Sequence, residues 1–318
     1  MLNKDSKIYV AGHRGMIGTA LMERLRETGF RNLVYRSHSE LDLTRQADVE
    51  AFFEREKPEY VIMNAAMVAN SVNVRIDPVG LMVNNTLMIC NVLTAAAENH
   101  VKKTVFTGSC SCYPSDAETE RLPDGTKMIR EEAMRPGRIE VYAERYYALP
   151  KQLGMELSRT LTATGKMPCV TAVLTHIYGT AYYYDDPQRL SVYPALVKRF
   201  CDAVKNREEE VVVWGTGNLR REFTNARDVA DAIILLLDCE ETAGIYNVAS
   251  GRMVSIRELA ERLKAITGFQ GKITYDTSKP EAAEYPMLCT DKLRGLGWKP
   301  QMDLESGIEQ SCEYYKKY

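Results

Sequence analysis

The chain of 318 residues (36.0 kDa) is long enough to bury a substantial core, in one large domain or two closely associated ones. Its net charge of -2 and isoelectric point near 6.2 provide no basic surface for nucleic acid. We find no basic leader and no apolar run approaching about 18 residues, which predicts a cytoplasmic protein without a membrane partner. The eight scattered cysteines have the pattern of reduced thiols, not of a disulfide framework or a metal site.

A nucleotide-binding turn is predicted near the N-terminus. Residues 7–11 have the composition of a short buried strand, and an amphipathic helix follows. The three glycines between them are spaced three apart, so the backbone can turn tightly and direct a helix N-terminus at a pyrophosphate. We therefore predict a dinucleotide site formed by Gly12, Arg14, Gly15, Met16, Ile17 and Gly18.

The end of the second strand, residues 32–35, indicates which dinucleotide binds. Arg36 follows this strand, at a position where an acidic residue usually binds the ribose hydroxyls of NAD. Arg36 and Arg14 offer two cations to a 2′-phosphate, which favours NADPH. The alternative is that each is an ordinary surface arginine.

Two further segments are predicted to contact this cofactor. Asp42 and Leu43 lie in a turn that we expect on the adenine side, with Asp42 as the polar contact. Ala65 and Ala66 follow a buried strand at 60–63, and their small side chains would let the cofactor approach the backbone.

The next elements lead to a possible reaction centre. A helix at 79–99 is apolar on more than one side, which predicts burial against the sheet and contact with a second subunit. A strand at 104–107 carries Ser109 just beyond its carboxyl end, where open parallel sheets bind ligands. The charged, Pro- and Gly-containing residues 115–140 are predicted to form an exposed excursion. A helix at 142–164 and a strand at 169–174 follow.

Tyr147 and Lys151 are four residues apart on the predicted helix, so their polar ends can meet. An ammonium group beside a phenol favours the phenolate, and we expect it to lower the pKa of Tyr147. Such a tyrosine can exchange a proton with a substrate oxygen near neutral pH. The same spacing is common on solvated helices, and Pro150 between the two residues is expected to bend the axis.

The chain resembles the extended short-chain dehydrogenase/reductases, in their nucleotide-sugar-modifying branch. Within that branch it is most similar to the GDP-L-fucose synthase family. The resemblance covers nearly the whole chain and rests on the glycine loop at 11–18 and on later segments at 193–200, 211–217, 221–223, 228–230, 246–251, 255–259, 296–300 and 307–308.

The resemblance implies an α/β fold, a Rossmann doubly wound parallel sheet with a smaller C-terminal α/β substrate-binding domain. The NADP(H)-binding domain would comprise 1–175 and 225–249, and the nucleotide-sugar-binding domain 176–224 and 250–318. It also implies a homodimer.

The family's catalytic residues correspond to Ser109, Tyr147 and Lys151, with NADPH supplying hydride to carbon 4 of a keto sugar. Arg199 and Arg221 match arginines that hold the substrate diphosphate, although each could be a surface residue. Trp214 would either pack on the nucleotide or belong to the core. Ser111 and Glu281 are further substrate-binding candidates, and His176 is a cofactor-binding candidate that replaces the family's asparagine.

The chain departs from the family where carbons 3 and 5 are epimerised. Ser111 occupies the position of the catalytic cysteine and Ser191 that of the catalytic histidine. A serine hydroxyl is too weak an acid to replace a thiol or an imidazole without a strong partner. Cys110, Cys112 or His176 could still take over. A basic pair is missing after residues 278–281, so the assignment of GDP rests on resemblance alone.

These observations predict an NADPH-dependent reductase of a nucleotide-linked 4-keto-6-deoxy sugar, a hexose or a heptose, with epimerase activity lost. One alternative is a complete GDP-L-fucose synthase. A non-catalytic NADPH-binding sensor is another. A 4,6-dehydratase is disfavoured, because no acidic pair follows the strand that leads to Ser109.

Overall fold

The computed structural model describes residues 2–68, 76–139, 145–180, 184, 190–279 and 284–317. Its strands are β1 (Ile8–Ala11), β2 (Leu33–Val34), β3 (Tyr60–Met63), β4 (Lys103–Ser109), β5 (Glu120–Arg121), β6 (Lys127–Ile129), β7 (Cys169–Leu174), β8 (His176–Tyr178), β9 (Glu210–Trp214), β10 (Arg220–Asn225), β11 (Ala243–Val248), β12 (Met253–Ser255), β13 (Lys272–Asp276) and β14 (Met287–Leu288). Its helices are α1 (Met16–Glu27), α2 (Gln46–Glu56), α3 (Pro78–Glu98), α4 (Arg145–Ala163), α5 (Val192–Asn206), α6 (Ala226–Asp238), α7 (Ile256–Thr267), α8 (Asp291–Gly295) and α9 (Leu304–Lys317).

Six strands form a parallel central sheet in the order β11-β7-β4-β3-β1-β2. Because β1 lies between β2 and β3, the strand order reverses at this point. The carboxyl ends of β1 and β3 therefore border a crevice of the kind that binds ligands in doubly wound folds. The predicted Rossmann sheet is confirmed, and the strands expected at 60–63 and 169–174 have the predicted bounds.

Helices cover both faces of the central sheet because its strands are apolar on both sides. One face packs against α1 and α6, through buried residues such as Leu21 and Ile233. The other packs against α2, α3 and α4, through Phe52, Ile89 and Met155. At about 25 cal/mol per Å² of buried apolar surface, these two layers supply the main stabilisation of the fold.

Helix α3 is apolar on more than one side, as predicted. Leu81 and Ile89 are buried, whereas Val79 and Val83 are 70% and 48% exposed. By length and composition alone, α3 could cross a membrane, which corrects the expectation that no such apolar run exists. Core helices often have this composition, and α3 packs against α4 and β3, so its composition is weak evidence for a membrane span.

The segment at 115–140, expected to be an exposed excursion, is partly built into the fold. β5 and β6 form an antiparallel hairpin, and β6 also pairs in parallel with β14. Thr126, Ile129 and Glu131 are buried. More than half of the segment's described residues are exposed, as predicted, but the pairing with β14 was not foreseen, because that strand lies far along the chain and leaves no local signal.

A separate apolar core lies in the C-terminal part of the chain. It contains Tyr193 and Phe200 of α5, Leu259 of α7 and Ile308 of α9. Two small sheets border this core, β12-β10-β8 and β13-β9. We retain as a proposal the division into a cofactor domain, 1–175 with 225–249, and a substrate domain, 176–224 with 250–318.

Candidate active site

The glycine loop after β1 allows a close approach between two strand ends. Gly12 has a φ of 83°, and a Cβ atom there would lie 2.8 Å from the backbone of Ala65. A Cβ atom on Gly18 would collide with the Gly12 carbonyl oxygen. Ala65 and Ala66 follow β3 and are half-buried. Small residues are therefore required on both sides of the crevice.

The first turn of α1 makes this loop suitable for an anion. α1 begins at Met16, and its N-cap residue, Gly15, provides no side-chain acceptor. The first amide groups of the helix, including that of Ile17, have no partner within the helix. The positive end of the helix dipole also favours negative charge. The loop from Gly12 to Gly18 thus fits the pyrophosphate of a dinucleotide.

The two arginines predicted to bind a 2′-phosphate lie in one region, with two carboxylates. Nη2 of Arg36 lies 2.6 Å from Oε1 of Glu56, so its charge is partly compensated. Hydrogen bonds from Ser37 lower the pKa of Glu40, and the charges of Arg36 and Arg14 lower it further. One anionic group could therefore meet both arginines, although sequence analysis did not foresee the two acidic neighbours.

The predicted adenine-side turn is held by polar side chains. Oδ1 of Asp42 accepts hydrogen bonds from the backbone amide and the hydroxyl of Thr44, at 3.0 and 2.8 Å. The buried Asn91 of α3 donates to the carbonyl oxygen of Leu43 at 2.9 Å. Asp42 thus stabilises the turn itself. Its contact with a cofactor stays a prediction.

Ser109 ends β4 at the carboxyl edge of the sheet and leads into a 3₁₀ turn, Cys110–Cys112. We call residues 109–112 the serine turn. The Oγ atoms of Ser109 and Ser111 lie 2.9 Å apart. Gln152 of α4 donates a hydrogen bond to the carbonyl oxygen of Cys112 at 2.8 Å. Because α4 also carries the predicted catalytic tyrosine and lysine, this bond brings the two halves of the candidate site together.

Lys151 is buried in the interface between α4 and the sheet. Its Nζ atom donates to the carbonyl oxygen of Thr107 at 2.7 Å and lies 4.9 Å from the ring centre of Phe106. The ring centre of Tyr147 is 5.9 Å from the same atom, as the four-residue spacing predicts. Burial lowers the pKa of Lys151 to about 8. Pro150 is buried within α4, and nothing in the structure explains its presence there.

The prediction that Lys151 lowers the pKa of Tyr147 was wrong. Burial raises the pKa of Tyr147, and the neighbouring Cys112 and Cys110 raise it further. Desolvation of the phenolate therefore outweighs any attraction to the ammonium group. Tyr147 is protonated at neutral pH and can donate a proton to a developing alkoxide, which is the direction that a reduction requires.

A cavity of about 10 Å³ separates the serine turn from the C-terminal part of the chain, and Cys110, His176 and Arg221 line it. The ring centre of His176 lies 5.8 Å from that of Tyr285. Burial lowers the pKa of His176 to about 3, with a further contribution from Arg221, so the imidazole is neutral. Sequence analysis assigned His176 to the cofactor, whereas the structure places it beside the predicted substrate arginine.

Trp214 lies on the surface, which corrects the alternative that it belongs to the core. It is 54% exposed. The guanidinium group of Arg199 lies 5.3 Å from its ring centre, and Nζ of Lys279 lies 5.5 Å from it. An aromatic ring beside two cations is suited to stack on a nucleotide base while the cations bind phosphate. Glu281 falls outside the residues that the structure describes.

Sequence analysis missed the buried carboxyl group of Glu222. Its two oxygen atoms accept hydrogen bonds from the backbone amides of Gly251 and Leu288, at 2.7 and 2.9 Å. Burial raises the pKa of Glu222 to about 7. The residue lines the same cavity as Arg221. The sequence signal that could have revealed it is the Arg-Glu-Phe segment at 221–223, which contributed to the family resemblance without a role for the glutamate.

A second missed feature is a buried network around Asn247, at the carboxyl end of β11. Its Oδ1 atom accepts a hydrogen bond from the hydroxyl of Tyr113 at 2.8 Å, and its Nδ2 atom donates to the carbonyl oxygen of Cys289 at 3.0 Å. Its backbone amide donates to Glu131 at 2.9 Å. The network fixes the β5–β6 hairpin beside the serine turn. No local sequence pattern could reveal it, because the partners are far apart in the chain.

The eight cysteines are free thiols. Cys112 is buried, and burial raises the pKa of its thiol to about 12. Within the residues that the structure describes, no group of three or more His, Cys, Asp or Glu side chains is placed to hold a metal ion.

Residues 8–249 match the NAD dependent epimerase/dehydratase family. The chain belongs to this family. It is 40% identical over 317 residues to GDP-L-fucose synthase 1 of Arabidopsis thaliana, with 100% of this chain and 95% of that protein covered. It is 30% identical over 318 residues to the GDP-L-fucose synthase of Escherichia coli K12, with 97% and 96% covered.

Two solved structures of similar proteins share the fold over almost the whole chain. A GDP-6-OMe-4-keto-L-xylo-heptose reductase from C. jejuni has a TM-score of 0.87 and 31% identity, with 99% of both chains covered. GDP-mannoheptose C4 reductase from Campylobacter jejuni, with NADP bound, has a TM-score of 0.85 and 32% identity, with 99% of this chain and 100% of that chain covered. The resemblance to the GDP-L-fucose synthase family is confirmed.

Proposed function

We propose that this protein uses NADPH to reduce carbon 4 of a GDP-linked 4-keto-6-deoxy sugar, a hexose or a heptose, without epimerising it. The protein is an NADP-dependent oxidoreductase of the extended short-chain dehydrogenase/reductase class. The observation that carries the reductase proposal is the hydrogen bond from Gln152 to Cys112, which attaches the serine turn to α4. The same helix carries Tyr147 and Lys151.

The chemistry follows from the charges of these groups. NADPH, when bound, supplies hydride to the carbonyl carbon. The hydroxyl of Ser109 donates a hydrogen bond to the carbonyl oxygen, and Tyr147 transfers its proton to the alkoxide that develops there. The ammonium group of Lys151, held beside the ring by the carbonyl of Thr107, stabilises the phenolate that remains.

The nucleotide diphosphate is assigned to the surface around Trp214. Arg199 and Lys279 flank its exposed ring, and Arg221 lies at the cavity beside the serine turn. Planar, permanently charged guanidinium groups suit a diphosphate. The assignment of GDP as the nucleotide is supported by the similarity to a GDP-L-fucose synthase and to two reductases of GDP-linked heptoses.

Epimerisation requires a group that abstracts a proton from carbon 3 or 5. The properties of the candidate groups support a loss of this activity. Ser111 and Ser191 replace the family's cysteine and histidine. The Cys112 thiol donates to the carbonyl oxygen of Ala148 at 3.6 Å, and the raised pKa keeps it protonated. With a pKa of about 3, the imidazole of His176 is too weak a base for a carbon acid.

The decisive experiment follows deuterium from two sources, the cofactor and the solvent. With NADPH labelled at the transferred hydrogen, we expect deuterium at carbon 4 of the product. With unlabelled NADPH in deuterated water, we expect none at carbons 3 or 5. Solvent deuterium at those carbons would contradict the loss of epimerase activity, and the absence of label at carbon 4 would contradict the reductase proposal.

A second candidate is a complete GDP-L-fucose synthase, and the 40% identity to the Arabidopsis enzyme favours it. Cys110 is the group that would have to act, since it lines the cavity that also contains His176. The solvent-exchange experiment separates the two candidates. Replacing Cys110 by Ala would abolish any exchange that this thiol catalyses.

We also propose that the protein is a cytoplasmic homodimer. The exposed apolar residues Val79, Met82, Val83 and Leu87 lie on α3, and Leu153 lies on the adjoining α4. Such a surface is larger than single scattered apolar residues and suits association with a second copy. Light scattering should give twice the chain mass, and Val83→Glu should reduce it to the mass of one chain.

A further inference from the structure

A cleft of about 520 Å³ opens beside the serine turn, and the reduction of carbon 4 does not account for it. Ser111, whose hydroxyl lies 2.9 Å from that of Ser109, lines the cleft, and so do Arg121, Gly125 and Lys127 of the β5–β6 hairpin. We call this space the hairpin cleft. Its volume falls within the range of roughly 300–1,000 Å³ that is typical of small-molecule sites. A single methyl group on a sugar would leave most of it unfilled.

The hairpin cleft has an apolar floor and a cationic rim. Tyr113, Ile129 and Leu288 contribute buried side chains to the floor. The Asn247 network described above anchors Tyr113 and the segment around Ile129, so the floor is fixed before a ligand binds. Preorganisation of this kind lowers the entropic cost of binding.

The rim carries two exposed cations, Arg121 and Lys127. Arg121 and Lys127 are directly opposite each other in the antiparallel β5–β6 pair, where like charges are destabilising. Among the described residues, no carboxylate forms an ion pair with either. Glu284 is the one carboxylate among the described residues that line the cleft, and it pairs with Arg220 at 3.2 Å. Oxygen atoms of a ligand would relieve this unfavourable arrangement.

The connectivity of a pyranose identifies the part of the substrate that can enter. The nucleotide leaves from carbon 1, across the ring from the reacting carbon 4. Carbon 3 carries only a hydroxyl group, which is too short to fill the cleft. Carbon 5 adjoins carbon 4 and carries the exocyclic chain, so this chain leaves the ring close to Ser109 and Ser111.

We propose that the hairpin cleft binds the exocyclic chain of the sugar and that the substrate is a GDP-linked 4-keto-6-deoxyheptose. The hydroxyl oxygen on carbon 7 accepts hydrogen bonds from Arg121 and Lys127. This inference rests on the proposed reductase function and decides between the hexose and the heptose that the function itself leaves open.

The test compares NADPH oxidation with a GDP-linked 4-keto-6-deoxyhexose and a GDP-linked 4-keto-6-deoxyheptose. Wild-type protein should prefer the heptose in kcat/KM by at least about tenfold, the discrimination that one or two buried groups provide. Thr119 lines the cleft and is exposed, so Thr119→Tyr should reduce the free space without disturbing the core. The double variant Arg121→Gln/Lys127→Gln removes the two cations. Each should lose about tenfold more kcat/KM on the heptose than on the hexose.

Lys166→Gln is the matched control, because this exposed lysine lies just beyond the end of α4, on the amino side of β7. It should leave the preference of the enzyme unchanged. A wild-type enzyme that prefers the hexose, or cleft variants that weaken both substrates equally, would overturn the heptose proposal while leaving the reductase intact.

If NADPH is oxidised with neither sugar, the proposed function fails. Measurements of sugar binding then test the role of the cleft. Calorimetric titration with GDP-linked heptose and with GDP-linked 6-deoxyhexose then replaces the kinetic comparison. Tighter heptose binding that the Arg121→Gln/Lys127→Gln variant removes would support the cleft assignment. Equal affinity for the two sugars would refute it.

Discussion

The Nζ atom of Lys151 lies 2.7 Å from the carbonyl oxygen of Thr107, within a site where its side chain is almost completely buried. This bond joins α4 to β4 at the point where the sheet delivers Ser109. It also holds a charge where desolvation is costly, as the fall of the pKa of Lys151 to about 8 indicates. The buried charge therefore lowers the stability of the fold, and we attribute its presence to the proposed role of Lys151 in the reaction.

Lys151→Met should stabilise the protein while abolishing turnover. Removing the buried charge recovers up to about 3 kcal/mol, and losing the bond to Thr107 costs about 1 kcal/mol. We expect the free energy of unfolding at pH 7 to rise by about 2 kcal/mol in urea denaturation of the nucleotide-free protein. Lys166→Met, which changes an exposed lysine, should have no effect. A less stable Lys151→Met variant would show that the ammonium group supports the fold.

The lowered pKa of Lys151 also leads us to expect that the free energy of unfolding depends on pH. Its pKa is lowered from 10.5 to about 8 in the folded protein, so the unfolded chain binds more protons between these values. Stability from this group therefore rises as pH increases from about 8 to 10.5 and is constant below 8. The difference in unfolding free energy between Lys151→Met and wild type should shrink over that interval. A constant difference would contradict the lowered pKa.

Tyr147→Phe should lower kcat by about 10² to 10⁴-fold, because the phenol is the proposed proton donor. NADPH binding, followed by nucleotide fluorescence, should change little, since the ring and its packing remain. The raised pKa of Tyr147 predicts that the donor stays protonated throughout the neutral range. Unchanged turnover in this variant would exclude the proposed proton transfer.

Arg36→Ala should raise the KM for NADPH by about tenfold and leave the KM for NADH nearly unchanged, because only NADPH carries the 2′-phosphate. Arg14→Ala should act in the same direction. Arg31→Ala removes an exposed arginine just before β2 and serves as the control. Equal effects on both cofactors would indicate that Arg36 acts through its ion pair with Glu56.

The double substitution Ser111→Cys/Ser191→His should introduce exchange of solvent deuterium at carbon 3 or 5 of the substrate. Ser111 borders Ser109 and Ser191 is an exposed residue at the start of α5, so both replacements can be accommodated. A thiol and an imidazole would then stand at the two positions where the family's acid–base pair is replaced by serines. Each single variant should exchange more slowly. Exchange already present in wild type would remove the basis of this prediction.

Local patterns in the sequence were sufficient for much of the fold and for the position of the site. The spacing of Gly12, Gly15 and Gly18 between a strand and a helix predicted the loop. Glycine is required there because residues nearby in the chain and the end of β3 leave no room for a side chain. The positions of β3, β7 and α3 followed from runs of apolar residues. Tyr147 and Lys151 met as expected, since a helix places residues four apart on one face.

Other properties depended on residues that are distant in sequence. The direction of the Tyr147 pKa shift is set by desolvation, which depends on everything packed around the phenol and not on Lys151 alone. Trp214 could not be assigned to core or surface until the packing of β9 was known. The hairpin cleft combines Ser111, Arg121 and Lys127 with residues from 220 and 284–288, so no local pattern contained it.

The sequence by itself therefore determined the family, the cofactor loop and the identity of the candidate catalytic residues, because these depend on short-range spacing and on residue chemistry. Only the tertiary structure decided their protonation, the burial of Lys151 and Glu222, and the space beside Ser111. Those properties arise from the exclusion of water and from contacts between distant segments, which exist only once the chain has folded.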